Sequence, residues 1–432
     1  MERILSSEAV LKHSETVRLA GWVHNVRAFR EITFLILRDR GGLIQTLVPD
    51  DSGIDVSEIG KEYVVEVEGT VHPDKRAPGG AEVHLSAVKV LAAAEEPPLE
   101  INRPAVMAKT HLDKILDHRP VSVRAVPIRS IFKVQARIIQ AFSDYLRSQG
   151  FTEYKSSKIV ATGTEGGANL FAIDYMGRPA FLAQSPQFYK QIMVGSGLER
   201  VFEVGPVYRA EKHETSRHLN EYTSLDFEMG FIDDEQDVIR MHTGVIRHVC
   251  AEVAAHCAEE IELLGATIPT IGDSIPQVTF KEGVDILAES GHKIYGEDLD
   301  PEGERRLCDW AVKEHGSDFL FVVGYPLASR PMYTFFRQDD PSVSRSFDLL
   351  FRGLEITTGS QRINEYPTLI EKMRERGLNP DDYESYVSAF LHGMPPHGGL
   401  GLGLERLTMQ LLGIKNVKEA VLFPRDRNRL SP

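Results

Sequence analysis

The chain has 432 residues, 42% hydrophobic and 26% charged, with a formal net charge of −14. That acidity argues against a general nucleic-acid coat, whose affinity comes from phosphate neutralisation, and the length exceeds what one hydrophobic core serves. Three cysteines (Cys250, Cys257, Cys308), none in C-x-x-C spacing, point to neither a disulfide frame nor a thiolate zinc site. The opening MERILSSEAVLKHSE is charged throughout and lacks the apolar core of a signal peptide. No run approaches the roughly 20 apolar residues of a membrane span. A cytoplasmic protein with no membrane partner is therefore expected.

Residues 1–93 read as short strands: VRLAGWVHNVRAF, ITFLILRD, LIQTLV, YVVEVEGTV and EVHLSAVKVL, separated by Gly, Asp and Pro turns. Five such strands suggest a small closed β-barrel of the OB type, with a small sandwich as the alternative. Trp22 reads as core. Residues 94–125 are rich in Pro and charge and read as a hinge with a little helix. The remainder, 126–432, reads as one α+β domain. Its first helix carries Ile128, Ile131, Phe132, Ile138, Ile139, Phe142, Tyr145 and Leu146 at helical spacing, with Gly150 as its stop. A second helix covers 235–257. Strands are expected at 199–209, 223–231, 319–323, 332–337 and 346–358. In TSLDFEMGF, Leu225, Phe227, Met229 and Phe231 alternate with Asp226, Glu228 and Gly230, so one face is apolar and the other carries carboxylates.

Between two of these strands lies YRAEKHETSRHLNEY, residues 208–222, dense in Arg, Lys and His within an acidic chain. Arginines there suit several phosphates, because guanidinium grips phosphate oxygens bidentately; a solvated, salt-bridged hairpin tip is the bland alternative. No P-loop pattern is present. The glycine-rich run is HGGLGLGLERLTMQLLG, residues 397–413, entering a helix with Arg406 one turn inside. Its glycines permit close backbone approach and a helix start favours anions, although tight strand-to-helix packing would use them equally. LEITTGSQR, residues 354–362, offers Glu355 and Thr358 as hard oxygen ligands for Mg²⁺, followed by Arg362, with a buried ion pair as the bland alternative.

RAE in a strand-loop-strand followed by GLGLERL resembles motifs 2 and 3 of the class II aminoacyl-tRNA synthetases. With an N-terminal OB-like domain, the chain resembles their aspartate, asparagine and lysine subgroup. FLAQSPQFYKQIMVGSGLERVFEVGPVYRAE, ATGTEGGANLF, LEITTGSQR and the ending FPRDRNRLSP resemble its archaeal-type aspartate enzymes. The resemblance implies an OB anticodon domain and a catalytic domain with an antiparallel sheet flanked by helices. It implies that aspartate and Mg-ATP give aspartyl-adenylate, and that the acyl group then passes to tRNA. Arg209 would hold the α-phosphate of ATP, Glu211 would sit at the adenine end, and Arg217 and His218 would reach the outer phosphates. Tyr222 matches the aromatic stacked on adenine, Arg406 covers the other face, and Glu355 and Thr358 match magnesium ligands. Lys190 and Arg362 would grip the side-chain carboxylate of L-aspartate. Glu165 and Gln187 would handle its α-amino group and the mobile lid.

In the barrel, Phe34 and Gln45 match the residues that stack on and read the central anticodon base, an interior barrel phenylalanine being the alternative for Phe34, and Arg27 offers a backbone contact. His24 and Pro78 resemble the relaxed form that charges both tRNA-Asp and tRNA-Asn. One departure is the stretch GFTEYKSSKIV, where Ser156 and Ser157 stand near the proline that usually ends motif 1, the dimer-forming element. A homodimer is still expected. Two rivals remain at this stage: an asparagine-specific ligase, and an OB-containing RNA-binding paralogue that has lost catalysis.

Overall fold

The protein is described by a computed structural model covering residues 1–30, 32–49, 52–164, 169–211 and 215–431. It divides into two compact units, Met1–Val126 and Pro127–Pro432. No helix among the described residues is long and apolar enough to cross a membrane.

In the first unit, β1 (Thr16–Ala28), β2 (Ile32–Asp39), β3 (Gly42–Pro49), β4 (Val64–Pro73) and β5 (Ala81–Ala92) close in the order β1-β2-β3-β5-β4. Pairing of β1 with β4 completes the ring, so the sandwich alternative falls. Strand alternation sends Val17, Leu19, Val23, Leu35, Leu37, Ile44, Val65 and Val67 into the barrel. The intervening residues face outward. The register pairs Arg27 with Phe34, Phe34 with Leu47, and Ile36 with Gln45, which sets Phe34 and Gln45 on one outer face. Trp22 is on that side too, 37% exposed with the Arg38 guanidinium 5.9 Å from its ring. The expectation that Trp22 is core was wrong, because one step along β1 from Val23 turns it away from the interior. Residues 94–125 fall within this first unit and carry three short helices, Pro104–Met107, Leu112–Asp117 and Arg119–Ser122.

The second unit is built on β6 (Thr152–Glu153), β7 (Ile159–Val160), β8 (Ala172–Tyr175), β9 (Arg178–Leu182), β10 (Arg200–Tyr208), β11 (Glu221–Gly230), β12 (Gln277–Thr279), β13 (Phe319–Val323), β14 (Ser346–Phe351), β15 (Leu354–Arg362) and β16 (His397–Gly403). Eight of these form one sheet, β12-β13-β14-β15-β16-β11-β10-β6, while β7, β9 and β8 form a small separate one. Its pairings are antiparallel except at the edges, where β12 joins β13 and β6 joins β10 in parallel. Helix Val126–Ser148 lays Ile131, Val134, Ile138, Phe142 and Leu146 into the core, and helix Glu235–His256 adds Val238, Val245, Val249 and Val253. They share one core with Phe227, Phe321, Phe347 and Leu400 of the sheet. One sheet face is thereby sealed, and the chemistry is left to the other.

Three strand expectations needed correction. Residues 346–358 form a hairpin rather than one strand, turning at Arg352 and Gly353 with φ of 47° and 85°. Two successive left-handed residues make the tight turn that matches strand twist, but an arginine in the first position hides it from sequence. Residues 332–337 contribute only the isolated bridges Thr334↔Arg362 and Phe336↔Ser344. Phe231 ends just past β11 with φ of 57° and is 69% exposed, so the apolar alternation stops at Met229.

Candidate active site

The floor of the site is laid by β11 and β16. Because Leu225, Phe227 and Met229 turn into the core, Asp226 and Glu228 turn the other way, yet both are buried. Directly across on β16 stand Gly401, opposite Asp226, and Gly399, opposite Glu228. A Cβ on Gly399 would overlap Phe227 O and Glu228 Oε2, and one on Gly401 would lie 3.2 Å from Asp226 Oδ1. The glycine run thus makes room for the protein's own carboxylates, a use that its sequence did not suggest.

Onto this floor project two cations. Helix Gln187–Met193 buries Gln187, Lys190 and Gln191, whose spacing puts them on one face. Lys190 Nζ donates to Asp226 Oδ1 and Leu400 O, both at 2.9 Å, and lies 3.4 Å from Glu228 Oε2. Arg362 donates Nε to Glu228 Oε1 at 2.8 Å, Nη1 to Ser360 Oγ at 2.7 Å and Nη2 to Gly399 O at 2.9 Å. Burial pushes the Glu228 carboxyl up, but Arg362 and Lys190 outweigh it and hold the group below its ordinary range. Buried cations need such counter-charges. Lys190 and Arg362 are therefore rigidly fixed and already paired within the chain.

A bulge in β15 arranges the next group. Leu349 pairs with Thr357 and Leu350 with Glu355, so Ile356 is the extra residue. The bulge lets Glu355 and Thr358 share a face although they are three apart. Thr358 Oγ1 donates to Glu355 Oε1 at 2.9 Å, and Arg406 Nη1 donates to Glu355 O at 2.8 Å. Burial again raises the Glu355 carboxyl, but Arg406, the Thr358 hydroxyl, Arg330 and Arg209 together hold it low.

The strand-loop-strand supplies the remaining wall. Arg209 lies with its guanidinium 5.9 Å from the Tyr222 ring, and Asn169 Nδ2 donates to Glu211 Oε2 at 3.2 Å. His218 Nδ1 is 2.7 Å from Thr215 Oγ1. Arg217 donates to Glu304 Oε2 at 3.0 Å and to Gly353 O at 2.7 Å, so it must exchange partners to reach a ligand. A cavity of about 420 Å³ gathers Arg209, Glu211, Arg217, His218 and Tyr222 with Gln187, Lys190, Glu355, Thr358, Arg362 and Arg406. Glu165 lies outside the described residues, as do Lys212, His213 and Glu214 of the charged loop.

Five further side chains contribute that no sequence motif marks as part of the site. Asp226 and Glu228 were visible as carboxylates on one strand face, but their pairing with Lys190 and Arg362 was not. Glu304, from helix Pro301–His315, is pushed up to about 7 by burial, against the pull of Arg217. Arg330 donates to both oxygens of Asp348, at 3.1 and 2.7 Å, and burial pushes that carboxyl up to about 6. Neither Glu304 nor the Arg330–Asp348 pair sits in a recognisable local pattern.

In the barrel, Arg27 is exposed and Phe34 is half-buried, with Phe29 edge-on to it at 5.9 Å. Gln45 Nε2 donates to Glu82 Oε2 at 2.9 Å. An interior role for Phe34 is thus excluded. His24 sits at the bulge in β1 and accepts from Arg38 Nη1 at 3.2 Å, while Pro78 is exposed in the β4–β5 connection.

Residues 111–427 match the family of class II tRNA synthetases (D, K and N), and residues 17–91 match an OB-fold nucleic acid binding domain. The chain is 47% identical to the aspartate–tRNA(Asp/Asn) ligase of Deinococcus radiodurans over 100% of its own length and 99% of the relative's. It is 45% identical to the aspartate–tRNA(Asp/Asn) ligase of Thermus thermophilus, with both chains covered completely. Among solved structures, the asparaginyl-tRNA synthetase of Pyrococcus horikoshii with asparaginyl-adenylate superposes with a TM-score of 0.93, at 32% identity and with both chains covered completely. The fold alone does not separate the two amino acids.

Proposed function

The chain belongs to the class II tRNA synthetases of the D, K and N family, and on that footing we propose how it works as an aspartate–tRNA ligase. The observation that carries the reading is Lys190 and Arg362, fixed side by side in the cavity that also holds Arg209 and Arg406. A carboxylate arriving beside two desolvated cations exchanges charge-assisted hydrogen bonds, whereas a carboxamide would set an NH₂ group against donors. Of the five N–H donors of Arg362, those on Nε and Nη2 are directed at Glu228 and Gly399 and one on Nη1 at Ser360, which leaves a second Nη1 donor for the ligand. The side-chain carboxylate of aspartate would take that donor.

In the proposed reaction the α-carboxylate of L-aspartate attacks the α-phosphate of ATP and pyrophosphate leaves. The 3′-terminal ribose hydroxyl of tRNA then attacks the adenylate carbonyl and AMP leaves. The attacking carboxylate is already ionised, so the protein's task is positioning and charge neutralisation. Arg209 takes the α-phosphate, Tyr222 and Arg406 sandwich the adenine, and Glu211 contacts its edge. Arg217 and His218 reach the outer phosphates once Arg217 leaves Glu304.

Glu355 and Thr358 would hold Mg²⁺. Two hard oxygens on one face suit an ion that draws its other ligands from phosphates and water. Among the described residues no larger acidic or histidine cluster offers a complete protein cage. When bound, the ion neutralises charge on the outer phosphates.

For the barrel we propose that Phe34 stacks on the central anticodon base while Gln45 reads its edge and Arg27 meets the backbone. His24 and Pro78 support charging of tRNA-Asn as well as tRNA-Asp, by a homodimeric enzyme. The test is aspartate-dependent ATP–pyrophosphate exchange against asparagine, then charging of separate tRNA-Asp and tRNA-Asn transcripts. Exchange with aspartate alone and charging of both transcripts is expected. Preference for asparagine would refute the pocket assignment, and failure on tRNA-Asn alone would refute only the relaxed specificity.

A further inference from the structure

Behind the cavity runs a buried chain of hydrogen bonds that none of the proposed ligand contacts requires. It starts at a group of unambiguous polarity. The Pro395 carbonyl lies 2.8 Å from His397 Nδ1 and can only accept, so Nδ1 must carry a proton. Burial pushes the His397 imidazole down to about 4, so the ring is neutral and its Nε2 bears a lone pair. The Gln191 side chain meets that Nε2 at 2.8 Å, and only its NH₂ end can do so. The other end, Gln191 Oε1, then accepts from Tyr386 Oη and from Gln187 Nε2, both at 3.0 Å. Gln187 has thereby committed its NH₂ group inward, which leaves Oε1 as the end available to the cavity it lines.

An amide is free to flip when nothing distinguishes its two ends. Here the polarity of one proline carbonyl is relayed through an imidazole tautomer and two amides. We propose that His397, Gln191 and Tyr386 are positioning residues that lock Gln187 with its carbonyl oxygen toward the substrate, where it accepts a hydrogen bond from the α-ammonium of the amino acid. The relay makes the site a reader of the ammonium group, separately from the Lys190 and Arg362 end that reads the distal carboxylate. This inference rests on the aspartate reading above.

Local placement is consistent with a rigid relay. Gln187 and Gln191 stand one helical turn apart, and the Tyr386 ring stacks on Phe188 at 4.1 Å. Phe390 packs beside His397 with ring centroids 6.0 Å apart.

The test separates ammonium recognition from general damage by pairing L-aspartate with succinate, a dicarboxylate of the same length that lacks the amino group. His397→Phe removes the lone pair that orients Gln191, while His397→Gln can restore an acceptor near the Nε2 position. In His397→Phe the KM for aspartate should rise about tenfold or more, the loss of one charge-assisted hydrogen bond. The KM for ATP and the inhibition constant of succinate should stay within about twofold, and His397→Gln should recover most of the aspartate affinity. Gln191→Met carries the same expectation should His397→Phe fail to fold. Parallel weakening of aspartate and succinate, or unchanged aspartate affinity in both variants, would overturn the relay. A wild-type enzyme that preferred asparagine to aspartate would instead overturn the aspartate reading itself, whereas one indifferent between aspartate and succinate would overturn the relay.

Discussion

Single side chains in this site are held between burial and neighbouring charges that oppose it, and that is where their pH behaviour originates. Arg406 anchors on the Glu355 carbonyl at 2.8 Å, which fixes the guanidinium before any ligand arrives. Preorganised cations of this kind stabilise developing charge without reorganising, so Arg406→Ala and Arg209→Ala should each lower ATP–pyrophosphate exchange about 10²–10³-fold. Exchange that survives either change would mean the nucleotide lies elsewhere. Glu304 makes a separate case. Its ordinary value is 4.5 and burial lifts it to about 7. Between those values the folded protein keeps a proton that the unfolded chain has released. Folding stability therefore falls as pH rises through that window and levels off above it. Glu304→Gln should flatten this slope relative to the wild type, leaving the parallel contributions of Glu405, which burial also lifts to about 7, and of Asp348, lifted to about 6. Denaturant titrations of both proteins at pH 5, 6, 7 and 8 would measure the difference, on the order of 1–3 kcal/mol across the range.

At the level of elements, two strands shape the site by what they omit or insert. β16 omits side chains at Gly399 and Gly401 so that β11 can bury Glu228 and Asp226 beside it. β15 inserts Ile356, and the resulting shift brings Glu355 and Thr358 to one face. Gly399→Ala should thus act on the floor of the site rather than on nucleotide approach. The new methyl group meets the Phe227 carbonyl as well as the buried Glu228 carboxylate, so a loss of about 1–3 kcal/mol is expected from overpacking. Aspartate affinity should fall with it because Glu228 holds Arg362. Thermal and chemical denaturation, with an aspartate titration, would register both. This level also separates what sequence carried from what it did not. Lys190, Arg362, Glu355 and Arg406 were legible because each sits in a short motif whose spacing survives folding. The counter-charges were not, because pairing across strands depends on register, which local pattern leaves open. Glu304 and Arg330 reach the site from segments whose own patterns signal nothing beyond a helix and a loop. The hairpin at Arg352–Gly353 escaped for a different reason, since arginine is an uncommon choice for a left-handed turn position.

The whole molecule is two units, each with its own apolar interior, one inside the closed barrel and one between the large sheet and its helices. All described residues assigned to the amino acid and nucleotide lie in Pro127–Pro432, and all those assigned to the anticodon lie in Met1–Val126. Activation of the amino acid and recognition of the RNA should then be separable by experiment. Phe34→Ala removes an outward aromatic from the barrel without touching its buried core, so the unit should stay folded. Base stacking on such a ring contributes about 1–3 kcal/mol, which corresponds to a rise in the KM for tRNA of about 5- to 150-fold. Aspartate-dependent pyrophosphate exchange, which needs no RNA, should be unchanged. Deletion of Met1–Val126 altogether is the more demanding experiment. The remaining fragment keeps its sheet, its helices and every described residue assigned to the adenylate, and so should exchange pyrophosphate within severalfold of the full chain while losing efficient transfer to tRNA. A fragment that folds, as judged by a cooperative melt, yet cannot form adenylate would mean that the barrel contributes to activation, and the separation of tasks argued from the placement of these residues would be wrong.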